Sequence, residues 1–120
     1  MKKPATKVID FHVDTLKDMG ERFTLAWHRA EQGDMTVSRN VSFLGLDALV
    51  STLSEKRLAL LRHLKQHPVG NIMELARALG RDYKNVHGDV TVLEELGLIE
   101  KSAKGLYAPY DELQTHVSLK

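Results

Sequence analysis

The sequence contains no cysteine, and that absence removes disulfides, thiolate metal sites and cysteine nucleophiles together. It fits a reducing compartment, and a cytoplasmic location is the expectation. Nowhere do about eighteen apolar residues run together, as a membrane-spanning helix needs. The opening Met-Lys-Lys-Pro-Ala-Thr-Lys is basic, yet no long apolar stretch follows it. Neither export nor membrane insertion is expected. Motifs for catalysis are missing too: there is no Gly-x-Ser-x-Gly elbow, no phosphate loop ending in Gly-Lys-Ser/Thr and no Gly-x-Gly-x-x-Gly. His63 and His67 stand four apart on one helical stretch but have no obvious third ligand. The expectation is therefore a protein that is not an enzyme and holds neither a metal nor another cofactor. No internal repeat and no low-complexity segment occurs.

What is present is an ordinary globular composition. Apolar residues make up 42% of the chain and charged ones 28%, enough of each for a folded core and a solvated surface. At 120 residues the chain has room for one domain, or one domain with a helical extension, but not for a large catalytic scaffold. Net charge is only +1, so its distribution carries more information than its sum. Residues 1–53 hold seven basic and seven acidic groups, 54–87 seven and three, 88–100 none and four, and 101–120 three and two. The basic excess sits on the segments leading into one stretch, and the acidic patch follows directly. Such an asymmetry orients a domain on a polyanion, though it is modest beside a strongly basic DNA binder.

Periodicity divides the chain into elements. Ile9, Phe11 and Val13 alternate with Asp10 and His12, which reads as a half-buried strand. Asp14 or Thr15 caps an amphipathic helix of about five turns carrying Leu16, Met19, Phe23, Ala26, Trp27 and Ala30, and Gly33 stops it. Residues 34–42 form a connector, followed by a short strand through Val41 and Phe43. Gly45 to Leu53 reads as a small helix bearing Leu46, Leu49 and Val50. Ser54 caps the next helix, whose expected buried row is Leu58, Leu61 and Leu64 and which ends at His67-Pro68. Asn71, with Glu74 at the capping-box position, opens a helix closed by Gly80. Asp82 then caps another, in which Tyr83, Val86, Val90, Leu93 and Leu96 form the inward stripe.

Two or three residues between the last two helices force a sharp turn. This is the geometry in which a second helix can enter a DNA major groove. Outside the stripe remain Lys84, Asn85, His87, Gly88 and Thr91. Downstream, Leu98-Ile99-Glu100-Lys101 and Gly105-Leu106-Tyr107-Ala108 flank a turn, so a β-hairpin follows with Lys101 and Lys104 near its tip. Three helices and such a hairpin make a winged helix-turn-helix. The expected fold is α+β, mainly α: an N-terminal strand-helix extension over 1–53, a winged helix-turn-helix over 54–110 and a C-terminal strand over 111–120.

The stretch "ELARALGRDYKNVHGDVTVLEELGLIEKSAKGLYAPY" resembles the winged-helix core of bacterial transcriptional regulators, distantly of the multiple-antibiotic-resistance-regulator type. With "LKDMGERFTLAWHRAEQG" and "SFLGLDALVSTLSEKRLALLRHL" upstream, nearly the whole chain is similar to a family of small regulators described as the antitoxin half of two-gene toxin–antitoxin pairs. That resemblance implies a repressor that binds operator DNA, neutralises a toxin encoded next door and regulates their shared operon. One departure stands out: the family carries a basic residue at the position of Gly88. The rival expectation is a protein-interaction module that neutralises its partner without touching DNA.

The residues expected at duplex DNA are Lys84, Asn85 and His87 nearest the bases. Around them stand Arg77, Arg81, Tyr83, Gly88, Thr91 and the hairpin lysines Lys101 and Lys104. Arg77 either pairs with Glu74 or reaches a phosphate, and Tyr83 either contacts DNA or packs. A winged helix does not need the N-terminal extension for its own core. Ile9, Phe11, Met19, Phe23 and Trp27, with Leu113 and Val117 from the tail, are therefore the expected surface for a homodimer or a partner such as the toxin. The rival role for the Phe23–Trp27 stripe is packing against Leu46, Leu49 and Val50. The alternating tail Leu113, Thr115, Val117 and Leu119 either joins the strand Ile9–Val13 or pairs with another chain.

Overall fold

The computed structural model describes residues 6–33 and 40–119. In chain order the elements are β1 (Val8–Asp14), α1 (Leu16–Glu31), β2 (Asn40–Leu44), α2 (Leu46–Thr52), α3 (Glu55–Gln66), α4 (Ile72–Leu79), α5 (Tyr83–Glu95), β3 (Glu100–Ser102), β4 (Gly105–Tyr107) and β5 (Glu112–Val117). The fold is α+β, and its described residues form two compact units. One contains Thr52–Glu112 together with the described residues up to Val8; the other contains Ile9–Ser51 and the chain from Leu113.

In the second of these units a three-stranded sheet runs in the order β2-β1-β5. β1 and β2 are parallel, with Phe11 opposite Val41 and Val13 opposite Phe43. The parallel pairing demands a crossover, and α1 lies within it. Thr15, not Asp14, caps α1: its hydroxyl accepts from the Asp18 amide and the Asp18 carboxylate accepts from the Thr15 amide, closing a full capping box. Asp14 turns instead to Arg22, which donates Nε to Oδ2 at 2.9 Å and Nη2 to Oδ1 at 3.2 Å. Arg22 holds the Asp14 carboxyl below the ordinary carboxylate range, against the opposite pull of burial. The tail strand β5 takes the first of its two expected roles and lies beside β1.

Ile9 and Phe11 are almost fully buried, with the Phe11 and Phe43 rings 5.7 Å apart. Both are core residues of their own chain, which corrects their assignment to a dimer or partner surface. Alternation shows that one face of a strand is apolar but not what covers it. Of the other residues placed there, Met19 and Leu113 are half-buried while Phe23, Trp27 and Val117 are exposed.

The other unit is built from α3, α4, α5 and the antiparallel hairpin β3-β4. Its caps are local and follow the sequence: Ser54 accepts from the Arg57 amide, Asn71 from the Glu74 amide and Asp82 from the Asn85 amide. Gly80 closes α4 in the left-handed conformation at φ 63°. Glu74 departs from expectation, because its Oε2 accepts from the Gly70 amide at 3.0 Å and not from the cap residue. On α3 the buried pair is Leu60 and Leu64, with Leu58 and Leu61 half-buried. Apolar side chains occupy so much of this helix that periodicity alone misplaces the centre of its stripe.

α5 is a poor helix former by composition, with four β-branched residues and Gly88 within it. Burial of Val86, Val90 and Leu93 holds it helical, at about 1.5–3 kcal/mol for each fully buried side chain.

Candidate nucleic-acid interface

The turn Gly80-Arg81-Asp82 joins α4 to α5 in three residues. The Arg81 amide reaches back to the Ala76 carbonyl at 3.0 Å, which fixes the exit angle. With Val86, Val90 and Leu93 turned inward, Lys84, Asn85, His87, Gly88 and Thr91 are all exposed along the opposite side of α5. Thr91 donates its hydroxyl to the His87 carbonyl at 2.9 Å, and the Tyr83 and His87 rings lie 5.9 Å apart on successive turns. Among the described residues nothing stands within 4 Å of a Cβ built on Gly88. That position is open to any side chain.

Beside the start of α5 lies a concave groove of about 480 Å³, lined among others by Asn71, Met73, Tyr83, Lys101 and Ser102. The hairpin forms its other wall. A two-residue turn, Ala103-Lys104, connects β3 to β4, and Glu100 accepts the Tyr107 hydroxyl across the pair at 2.6 Å. That bond raises the Tyr107 pKa above its ordinary value. Val69 bridges Leu106 through two backbone bonds, 2.8 and 3.2 Å, anchoring the hairpin to the segment between α3 and α4. Gly105 makes this possible, because a Cβ there would run into the Val69 carbonyl oxygen.

The expected phosphate contacts divide into free and committed groups. Arg77, Lys84 and Lys104 are exposed and have no ion pair among the described residues, so Arg77 does not pair with Glu74. Lys101 itself is exposed and approaches the half-buried Glu94 at 3.6 Å, a long pairing worth about 0–1 kcal/mol. Arg81 is a correction. It donates Nη2 to Asp89 Oδ2 at 2.7 Å, while Arg57 on α3 donates Nε to Oδ1 of the same carboxylate at 3.0 Å. All three side chains are 22% exposed or less, and Nη1 of Arg81 is buried without a partner. Arg81 is therefore an internal staple, and Asp89, which the sequence reading passed over, is its centre. The signal was an acidic residue on the inner flank of α5, spaced 32 residues from Arg57 and so invisible to any local pattern.

A family model described as HVO_A0114 matches residues 52–115, just over half of the chain. The chain belongs to the HVO_A0114 family. The matched span coincides closely with the helical unit Thr52–Glu112, so the family is carried by the elements around α5 and the hairpin. No curated protein matches the sequence. Elsewhere, no helix among the described residues is long and apolar enough to cross a membrane. The His63 and His67 rings lie 5.1 Å apart, and no group of three or more metal-ligating side chains occurs among the described residues.

Proposed function

We propose that the HVO_A0114 unit of this chain is a winged helix-turn-helix that binds duplex DNA and represses transcription. The observation that carries this reading is the clustering of exposed Lys84, Asn85 and His87 on the first two turns of α5, beside a hairpin tipped by Lys104. Asn85 and Lys84 have the chemistry to read adenine and guanine edges, while Arg77, Lys101 and Lys104 suit phosphates. The last turn of α5 bears Glu94 and Glu95, so only its N-terminal half suits close approach to a polyanion. In helix-turn-helix complexes it is the N-terminal residues of the second helix that contact base edges.

The chain's modest charge argues for two copies acting together on paired half-sites about one DNA turn apart. The test is binding to DNA from upstream of the protein's own gene. Lys84→Ala and Asn85→Ala should weaken it strongly, and Arg29→Ala, a charge change on α1, should not. Equal binding by all three variants rejects the groove assignment.

A second reading, neutralisation of a toxin partner, follows from the resemblance and is favoured by the exposed apolar side chains of α1. Both activities are compatible in one autoregulating antitoxin.

A further inference from the structure

α1 has sixteen residues, a complete capping box and an apolar stripe, yet it buries none of its residues fully in its own chain. Leu16, Phe23 and Trp27 are 76%, 69% and 58% exposed. Gly20 lies in the middle of the helix, where glycine costs about 1 kcal/mol relative to alanine. Among the described residues nothing stands within 4 Å of a Cβ built there, so packing against them does not require it. Isolated helices of about this length are marginal in water. An unpartnered stripe and an unrequired glycine both point to a surface that meets another helix closely.

The order of residues names that helix. Leu16, Gly20, Phe23, Trp27 and Ala30 recur at intervals of four, three, four and three, the seam of a two-helix coiled coil. On one side the seam is flanked by Lys17, Thr24 and Glu31, each seven apart, and on the other by Met19 and Ala26. A parallel pair would set the first flank against the second and make no ion pair. An antiparallel pair of identical helices sets each flank against itself. Lys17 then meets Glu31 of the second copy, Glu31 meets Lys17, and the two Thr24 residues face each other at the two-fold axis. In the same register Gly20 packs on Ala30 of the second copy and Phe23 on Trp27, so small meets small and aromatic meets aromatic, while Leu16 falls beyond the paired span. Lys17 has no ion pair among the described residues, while Glu31 accepts from the Trp27 indole through Oε1 at 2.6 Å and has His28 Nδ1 3.6 Å from Oε2 in an exposed contact.

We propose that α1 is half of an antiparallel helix pair completed by α1 of a second copy of this chain. Burying the two aromatics of both copies removes roughly 500 Å² from water, and the flanking stems bring the total towards the lower end of specific interfaces, about 1,200 Å². The pair specifies how the two copies invoked above assemble but uses α1 alone, so DNA binding can fail while the pair stands.

The experiment uses the full chain, which has no native cysteine to interfere. Light scattering at tens of micromolar should give twice the 13.5 kDa chain mass. Lys17→Glu should lower the dimer fraction several-fold, and Lys17→Glu combined with Glu31→Lys should restore it. In separate variants, Thr24→Cys should be cross-linked between copies by a bismaleimide spanning about one helix diameter. Lys17→Cys should not, because fourteen residues of helix would separate the two sites by about 21 Å along the axis. A monomer, failure of the charge swap to restore the dimer, or equal cross-linking at both positions overturns the proposal. A monomer that gains mass only with a toxin partner would assign the stripe to that partner instead.

Discussion

Replacing Asp89 with alanine leaves two guanidiniums, those of Arg57 and Arg81, without the carboxylate that they share. Each contact is a charge-assisted hydrogen bond of 2.7–3.0 Å between groups only 15–22% exposed. Such bonds contribute about 1.5–3 kcal/mol each, and removing one member of a fully buried pair costs about 3–5 kcal/mol. The remaining exposure discounts this, so Asp89→Ala should lose about 2–4 kcal/mol. Arg81→Ala should lose less, about 1–2 kcal/mol, because Asp89 keeps Arg57. Arg57 also donates Nη1 to the Thr52 carbonyl at 2.8 Å, so Arg57→Ala removes a second contact as well. Urea unfolding with an unchanged slope is the measurement, and a double-mutant cycle between Arg81 and Asp89 isolates their coupling, expected at about 1–2 kcal/mol. The same variants separate a staple from a phosphate ligand: Arg81→Ala should lower stability and leave the salt dependence of DNA binding unchanged. Asp89→Ala within about 0.5 kcal/mol of the parent, the range of an ordinary surface change, would refute the reasoning.

Three further outcomes are expected. Gly88→Ala should raise stability by about 1 kcal/mol with DNA affinity unaltered, whereas Gly88→Arg should steepen the salt dependence of DNA binding by about 0.9 in log–log slope; anisotropy titrations at several salt concentrations read both. Gly105→Ala should destabilise the helical unit by about 3 kcal/mol or more, through the collision with Val69 and backbone strain at φ 125°, seen as a lower thermal midpoint. For Asp14 the folded-state pKa is depressed, so its stabilisation is present above the unfolded value near 4 and is lost as pH falls through the lower folded value. Asp14→Asn should therefore be less stable than the parent at pH 7, with the gap closing below pH 4, followed by fluorescence of Trp27, the single tryptophan.

What could be read from the sequence was local. Ser54, Asn71, Asp82 and Gly80 act within one turn of their own helices, so residue type and spacing suffice to place them. The hairpin was legible for the same reason, its strands being joined by a two-residue turn. The exposed face of α5 followed from its buried stripe, of which Val86, Val90 and Leu93 are buried and Leu96 half-buried, while Tyr83, expected in the same stripe, is exposed. Long-range choices were not legible. The two partners of Asp89 come from α3 and from the turn before α5, and Arg81 looked like any exposed cation beside a recognition surface. Ile9 and Phe11 show the same gap in reverse: an apolar strand face must be covered, but alternation does not say by what. For α1 the sequence displayed the stripe, and the structure added that its own chain leaves Phe23 and Trp27 exposed.

The most direct test of the central claim is a salt titration of DNA binding by the parent and by a Lys84→Ala/Asn85→Ala/His87→Ala variant. Folding of the variant is checked by circular dichroism. The parent should bind DNA from its own upstream region more tightly than unrelated DNA, with affinity falling steeply as salt rises because phosphate contacts release counterions. The variant should keep its fold and lose the preference for its own region. A folded parent with no salt-dependent DNA binding, or a triple variant that still discriminates as well as the parent, would contradict the assignment of α5 to the major groove.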